Sequence, residues 1–109
     1  MINGVVGKGI TVANINLSFG LTNADSTLPV VANVTLCNTG ANSGTYTFGI
    51  MDSSEAAISY QDQIFINSNI AADETIDLGN FVLSPDETIV INASIGGIAV
   101  RVTGVQQPN

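Results

Sequence analysis

The sequence predicts an all-β protein, a single antiparallel β-sandwich of about seven strands. Three observations predict it: apolar and polar residues alternate over short stretches, turn residues recur about every 8–12 residues, and no stretch keeps a helical period of about 3.6 residues. Because strand count does not separate the two topologies, an Ig-like arrangement is preferred and a small jelly roll is the alternative. The chain of 109 residues is divided into a flexible N-terminal arm (1–9) and one sandwich domain (10–109).

The N-terminal arm, MINGVVGKG, contains three glycines and one charged side chain. Such a segment is either flexible or a short edge strand, and it is suited to docking onto the sheet edge of a neighbouring molecule. Residues 10–19 follow as the first strand of the sandwich, because Ile15, Leu17 and Phe19 fall on one face. A polar connection then leads to Pro29, which limits strand pairing where the next strand begins.

Residues 29–51 contain two alternating stretches separated by a loop of Gly, Asn, Ser and Thr. This pattern predicts a β-hairpin that turns within residues 38–44. The residues expected to face inward are Val30, Ala32, Val34 and Leu36 in the first strand, and Tyr46, Phe48 and Ile50 in the second.

Four more strands are predicted in the second half of the chain. Residues 58–66 form a strand with Ile64 and Ile66 on its apolar face, and residues 75–83 form the next. The apolar positions of residues 75–83 change parity at Gly79-Asn80, which indicates a bulge or a bend. The last two strands, 88–94 and 98–105, are joined by Gly96-Gly97, a strong signal for a tight hairpin turn.

The charged residues exclude several kinds of function. Nine acidic residues against Lys8 and Arg101 give a net charge of −7, and there is no histidine. Nucleic acids and anionic membranes both require a basic surface, so neither is expected as a partner. The commonest general base and metal ligand is missing, and Cys37 has neither a histidine nor a second cysteine to act with. We therefore expect a protein that is not an enzyme, with no catalytic residue, metal site or cofactor.

The chain has no apolar run of about 18 residues that could form a membrane-spanning helix. Its first residues also lack the basic and apolar regions of a signal peptide. We expect the protein to be made and folded in a cytoplasm.

The acidic residues form the one alternative site. They cluster in or beside predicted turns, at Asp52 and Glu55, at Asp73, Glu74 and Asp77, and at Asp86 and Glu87. Three such groups at one end of a sandwich could bind Ca²⁺, although the spacing of an EF-hand loop is absent. The sequence Asp-Glu-Thr-Ile occurs twice, at 73–76 and 86–89, which favours two similar entries from a turn into a strand.

Three segments carry a resemblance to a known family: VTLCNTGANSGTYTFGI, ISYQDQIFINSNIAADETIDLG and LSPDETIVINASIGGIAVRVTGV. Over residues 30–105 the chain resembles a group of small virion proteins of tailed phages, common in marine and cyanobacterial phages. The shared features are a strand ending in Leu-Cys-Asn, a loop of small residues, a tyrosine-containing strand and a late strand ending in Ala-Ser. The chain departs from the family at residues 55–59, where basic residues often occur.

The resemblance implies a non-enzymatic structural protein of the virion, made in the host cytoplasm. A capsid decoration or cement protein that bridges subunits of the major capsid protein is preferred. The alternatives are a fibre, adaptor or knob module that binds tail proteins, and a Ca²⁺-dependent module that binds a carbohydrate or receptor. Self-association is expected, with a trimer as one form.

Two regions are expected to contact partners. The first is the N-terminal arm and the second is the loop after the Leu-Cys-Asn strand end. The predicted contact residues are Ile2, Val5, Val6 and Lys8 in the arm, and Asn38, Thr39 and Asn42 in the loop.

Overall fold

The computed structural model describes residues 3–21, 27–52 and 63–106. These residues contain eight β-strands and no helix. The strands are β1 (Asn3–Ile10), β2 (Leu17–Gly20), β3 (Val30–Asn38), β4 (Gly44–Asp52), β5 (Gln63–Ile70), β6 (Thr75–Leu83), β7 (Glu87–Ala93) and β8 (Ile98–Val105).

The strands form two four-stranded antiparallel sheets, sheet A with the order β1-β8-β3-β6 and sheet B with the order β2-β7-β4-β5. The pairs are nested along the chain: β4 pairs with β5, β3 with β6, β2 with β7 and β1 with β8. This nesting is the strand arrangement of a jelly roll. The predicted all-β antiparallel sandwich is confirmed, and its topology is the jelly roll rather than the preferred Ig-like arrangement.

The hairpin predicted over residues 29–51 is wrong, because its two strands belong to different sheets. β3 pairs with β6 and β8, whereas β4 pairs with β5 and β7. The Gly96-Gly97 turn likewise joins β7 of sheet B to β8 of sheet A. In both places the chain reverses direction at the predicted loop. The strands before and after the loop lie in opposite sheets, and their apolar faces meet across the core.

The space between the sheets is filled by inward-facing side chains of both. Phe48 on β4 is wholly buried, and its ring centroid lies 5.0 Å from that of Phe81 and 6.1 Å from that of Phe65. All the residues predicted to face inward within 29–51 lie in this core or pack against it: Val30, Ala32, Val34, Leu36, Tyr46, Phe48 and Ile50.

Tyr46 places a titratable group in the core, with 4% of its surface exposed. Burial raises the pKa of its phenol and the charge of Glu74 adds to the effect, while a hydrogen bond with Ser68 lowers it. The folded state therefore holds the phenolic proton more tightly than the unfolded state. This contribution to stability is complete below about pH 10, the ordinary pKa of tyrosine, and is lost as the pH rises through the folded-state pKa.

We expect Tyr46→Phe to reduce the loss of stability at alkaline pH. The free energy of unfolding of both proteins, measured by urea denaturation between about pH 8 and pH 11, should fall less steeply for the variant. The other groups that titrate at alkaline pH are the same in both proteins. The difference between the two slopes of unfolding free energy against pH is therefore caused by Tyr46. Identical slopes would show that burial of Tyr46 does not raise its pKa.

The predicted N-terminal arm is part of the sandwich, because β1 pairs with β8 from Asn3 to Ile10. Its glycines make room for another strand: a Cβ atom at Gly7 would lie 2.5 Å from Cδ1 of Phe19 on β2. Residues 3–9 are thus an edge strand, and the division of the chain at residue 9 is wrong for the residues that the structure describes.

The single strand predicted over residues 10–19 is two strands and a loop. β1 ends at Ile10, residues 11–16 cross from sheet A to sheet B, and β2 begins at Leu17. Phe19 is buried as predicted, whereas the side chain of Ile15 is 58% exposed in the loop. Between residues 11 and 19, the alternation of apolar and polar residues therefore reflects strand structure only within β2. Asn14 in the loop has a φ of 61°, a left-handed conformation that a strand does not contain.

The strand predicted over residues 58–66 is β5, which runs to Ile70; the part before residue 63 lies outside the described residues. Phe65 packs against the core, so Ile64 and Ile66 face outward, opposite to the prediction. Asn67 has a positive φ of 46° and lies at a shift of register between β5 and β4. This bulge changes the parity of β5, which lets Phe65 and Ile70 both face the core.

The predicted bulge in residues 75–83 is confirmed. The register between β6 and β3 shifts between Asp77 and Gly79, and Gly79 has a φ of 99°. Only glycine adopts such a φ readily, so the sequence marks the position of the bulge.

Candidate functional site

The exposed large apolar side chains gather on a few surfaces rather than scatter over the molecule. Among the described residues, nine such side chains are exposed. Five belong to the outer face of sheet A, two to the loop 11–16 and two to β5: Val5, Ile10, Val31, Val82 and Val105; Val12 and Ile15; Ile64 and Ile66. The outer face of sheet A and the loop 11–16 therefore carry most of the exposed apolar side chains that a protein partner could cover.

The loop 11–16 belongs to one end of the sandwich, where the chain crosses between the sheets four times. We call this end, formed by residues 11–16, 39–43, 71–74 and 94–97, the loop end. Backbone hydrogen bonds join its loops to one another and to the adjacent strand residues: Thr11 N to Ile98 O, Gly97 N to Thr11 O, Asn14 N to Ala93 O, Thr39 N to Gly97 O and Asn38 N to Glu74 O, at 2.7–3.1 Å. The loop end is therefore held as one unit.

Thr11 fixes the first of these loops from inside. Its side chain is 2% exposed, and its hydroxyl donates to the carbonyl oxygen of Ile95 at 3.0 Å and accepts from the Ile98 N–H at 3.1 Å. Val12, next in the chain, points outward and is 59% exposed. The buried threonine thus anchors a loop that presents apolar side chains to solvent.

The predicted contact residues of the β3–β4 loop divide into two roles. Asn38 is wholly buried: its amide donates to the carbonyl oxygen of Asn42 at 2.8 Å, and its Oδ1 accepts from the Gly40 N–H at 3.0 Å. It shapes the loop from within and cannot contact a partner, so this prediction is wrong. Thr39 and Asn42 are exposed at the loop end, where the hydroxyl of Thr39 donates to Gly97 O at 2.7 Å.

The predicted contact residues of the N-terminal segment are also separated. Val5 and Lys8 lie on the outer face of sheet A, opposite Thr103 and Arg101 of β8. Val6 is the extra residue of a bulge in β1; it is half-buried and packs against the core. Ile2 lies outside the described residues.

The register of sheet A arranges its outer face into rows that cross the strands in the order β1, β8, β3 and β6. We call three of them the cysteine row, the charged row and the valine row. The cysteine row contains Ile10, Ala99, Cys37 and Thr75; the charged row contains Lys8, Arg101, Thr35 and Asp77; the valine row contains Val105, Val31 and Val82.

The charged row holds both basic side chains of the protein. Lys8 and Arg101 are directly opposite each other, an arrangement of like charges that disfavours pairing of the strands. Neither makes an ion pair with another described residue. Asp77, at the other end of the row, accepts from Gly79 N at 2.9 Å and Asn33 Nδ2 at 3.1 Å, both through Oδ1.

A groove of about 520 Å³ lies between the charged row and the cysteine row. Its lining includes Lys8, Ile10, Thr35, Cys37, Ala99 and Arg101. The floor is apolar and the two cations stand at one side, so the groove suits a negatively charged group.

The three acidic groups do not all meet at one end of the sandwich, although Asp52 on β4 lies opposite Glu87 on β7; Glu55 lies outside the described residues. Asp73 and Glu74 lie at the loop end, whereas Asp86 and Glu87 lie beyond the other end of β6. Glu74 and Glu87 make the same turn: each carboxylate accepts from the backbone N–H three residues earlier, Ala71 at 2.8 Å and Ser84 at 2.7 Å. The repeated Asp-Glu-Thr-Ile sequence is thus two similar entries into a strand, as predicted.

No group of three or more His, Cys, Asp or Glu side chains able to hold a metal ion is found in residues 3–21, 27–52 and 63–106. Nor does the described part of the chain contain a helix long and apolar enough to cross a membrane. Comparison with models of protein families, with curated protein sequences and with solved structures found no match.

Proposed function

We propose that this chain is a non-enzymatic structural protein of a phage particle, a capsid decoration protein whose loop end contacts the major capsid protein. The proposal depends on one observation, the ordered structure of the loop end and the side chains that it exposes. Four connections are held together by backbone hydrogen bonds, and they present exposed Val12, Ile15, Thr39 and Asn42 side chains.

A surface of this kind suits association with another protein. Because its loops are already ordered by hydrogen bonds, docking costs little conformational entropy. Two apolar side chains more than half exposed, Val12 and Ile15, supply area that a partner can bury. The resemblance to small virion proteins supports the choice of a capsid as that partner.

The test is the number of copies of the chain in purified virions of the phage that encodes it. Quantitative mass spectrometry against the major capsid protein should find the chain in hundreds of copies, and cryo-electron microscopy should locate it on the shell. A few copies at the tail would favour the fibre or adaptor function instead. Absence from the virion would overturn the proposal.

The loop end is tested separately, with shells that lack the chain. We expect Val12→Asp to weaken binding to such shells at least about tenfold, a change of roughly 1.4 kcal/mol, because it places a charge in an apolar contact. Ile64→Asp on β5, a site of similar exposure away from the loop end, is the matched control and should bind as the natural chain does. Equal loss in both variants would remove the loop end from the contact.

A further inference from the structure

We propose that the outer face of sheet A is a self-association surface, on which a second copy of this chain packs face to face about a two-fold axis parallel to the strands. This inference goes beyond the proposed function, which uses the loop end. It is carried by the apolar side chains of the face, by the order of its charges and by its size.

The apolar part is the valine row. Val82, Val31 and Val105 are directly opposite one another on three neighbouring strands, and their side chains are 72%, 45% and 39% exposed. Val5 on β1 adds a fourth valine, 49% exposed. An outward-facing strand position is usually polar when a sheet faces water, so a continuous row of valines indicates a face that another sheet covers.

The charges define which way the second copy lies. Along the charged row the order is Lys8, Arg101, Thr35 and Asp77, so both cations lie on one side of the sheet and the carboxylate lies on the other. Within one chain Lys8 and Asp77 are three strand spacings apart, about 14 Å, which is too far for an ion pair. Lys8 and Asp77 therefore cannot pair with each other within one chain, and their order is complementary to that of a copy turned around.

Rotation about a two-fold axis that runs parallel to the strands, between β8 and β3, gives this orientation of the second copy. It sets β1 of the second copy over β6 of the first and keeps each row at its own level. Lys8 of the second copy then faces Asp77, whose Oδ2 makes no hydrogen bond with the described residues. The two valine rows meet, and each groove between the charged and cysteine rows receives a carboxylate.

A two-fold axis across the strands does not fit the charges. It would place β1 over β1 and β8 over β8, so the cations of both copies would lie together on one side of the interface and both Asp77 carboxylates on the other side. Like charges brought together at an interface disfavour the complex. The charge order therefore selects the axis parallel to the strands.

The face is large enough for a specific dimer. Four strands about 4.8 Å apart and about eight residues long at about 3.3 Å per residue cover roughly 500 Å² in projection, and two such faces roughly 1,000 Å². A specific interface should exceed about 1,000 Å² of accessible surface, and the relief of the side chains adds to the projected area of these two faces.

The first test is the mass of the protein in solution. Sedimentation equilibrium should find a concentration-dependent species of twice the chain mass of 11.2 kDa. Val31→Asp should shift the protein to monomer, whereas Val12→Asp, the same substitution at an exposed valine of the loop end, should leave the dimer intact. A natural chain that stays monomeric up to about 1 mM, or that forms a trimer, would overturn the proposal.

The second test exchanges the charges and identifies the axis. Lys8→Asp and Asp77→Lys should each lose the dimer, because each single variant sets like charges opposite one another. Mixing the two variants should restore it as a heterodimer, in which both contacts join opposite charges. If the mixture stays monomeric, or if each variant alone remains dimeric, the proposed axis is wrong. Circular dichroism checks that each variant is folded, and the valine comparison stands whether or not Asp77→Lys folds.

Discussion

Phe48→Ala is expected to lower the free energy of unfolding by about 3–5 kcal/mol, the cost of emptying a large aromatic site in a packed core. Phe48 is wholly buried on β4 and lies between the rings of Phe65 and Phe81, from opposite sheets. A small domain has about 5–15 kcal/mol of stability in total, so this one change removes a large part of it. Urea denaturation followed by circular dichroism measures the loss.

The matched control for this change is Ile66→Thr, on the neighbouring strand β5. Ile66 is 56% exposed, and threonine keeps the branched side chain that a strand favours. We expect a change of less than about 0.5 kcal/mol there. A loss below about 1 kcal/mol for Phe48→Ala would mean that the sheets do not pack around this ring.

Thr11→Val should lower the free energy of unfolding by about 2–4 kcal/mol, although valine has nearly the same shape. The hydroxyl of Thr11 bonds both Ile95 O and Ile98 N in the interior, and valine would leave a donor and an acceptor without partners. Each buried polar group without a partner costs about 1–3 kcal/mol. Denaturation measures the loss, and amide hydrogen exchange should show faster exchange at Ile98.

Thr11→Ser distinguishes the hydroxyl from the packing of the methyl group. Serine keeps both hydrogen bonds and gives up only one methyl, so its loss should be about 1 kcal/mol. Equal stability of the valine and serine variants would show that the hydroxyl does not hold the loop end. Because the loop end is the proposed contact with the capsid, we also expect Thr11→Val to bind shells less well than Thr11→Ser.

The fold class was predictable because the burial pattern of single strands is local. β3 and β8 alternate strictly between buried and outward-facing residues, and their bounds follow from that alternation. The bulge of β6 was also predictable, since it changes the parity of the apolar residues at a glycine. These features depend on neighbouring residues only.

The topology was not predictable, because it depends on which sheet receives each strand. The loop after β3 reverses the chain whether β4 pairs with β3 or crosses to the other sheet. The glycines of β1 suggested flexibility for a similar reason: Gly7 needs its missing side chain because of Phe19, a residue that the sequence pattern cannot place beside it. Long-range contacts decide both cases.

The surfaces were predictable only in part. Val5, Lys8, Thr39 and Asn42 are exposed, and the sequence singled them out. The sequence also contained an indication of the apolar outer face of sheet A. Val31, Val82 and Val105 occupy outward-facing positions of β3, β6 and β8, where the alternation of apolar and polar residues predicts a polar side chain. That they form one row with each other, and that Asp77 ends the row of Lys8 and Arg101, follows from the register alone.

The pairing of the first strand with the last has a consequence for synthesis of the protein. Asn3 lies opposite Val105, so β1 finds its partner only after β8, about 100 residues later in the sequence, has been translated. At roughly 5–20 residues per second, a ribosome takes on the order of 5–20 s to make the intervening segment. During that interval β1 does not yet cover the ring of Phe19, so apolar surface that the folded sandwich buries stays exposed on the nascent chain.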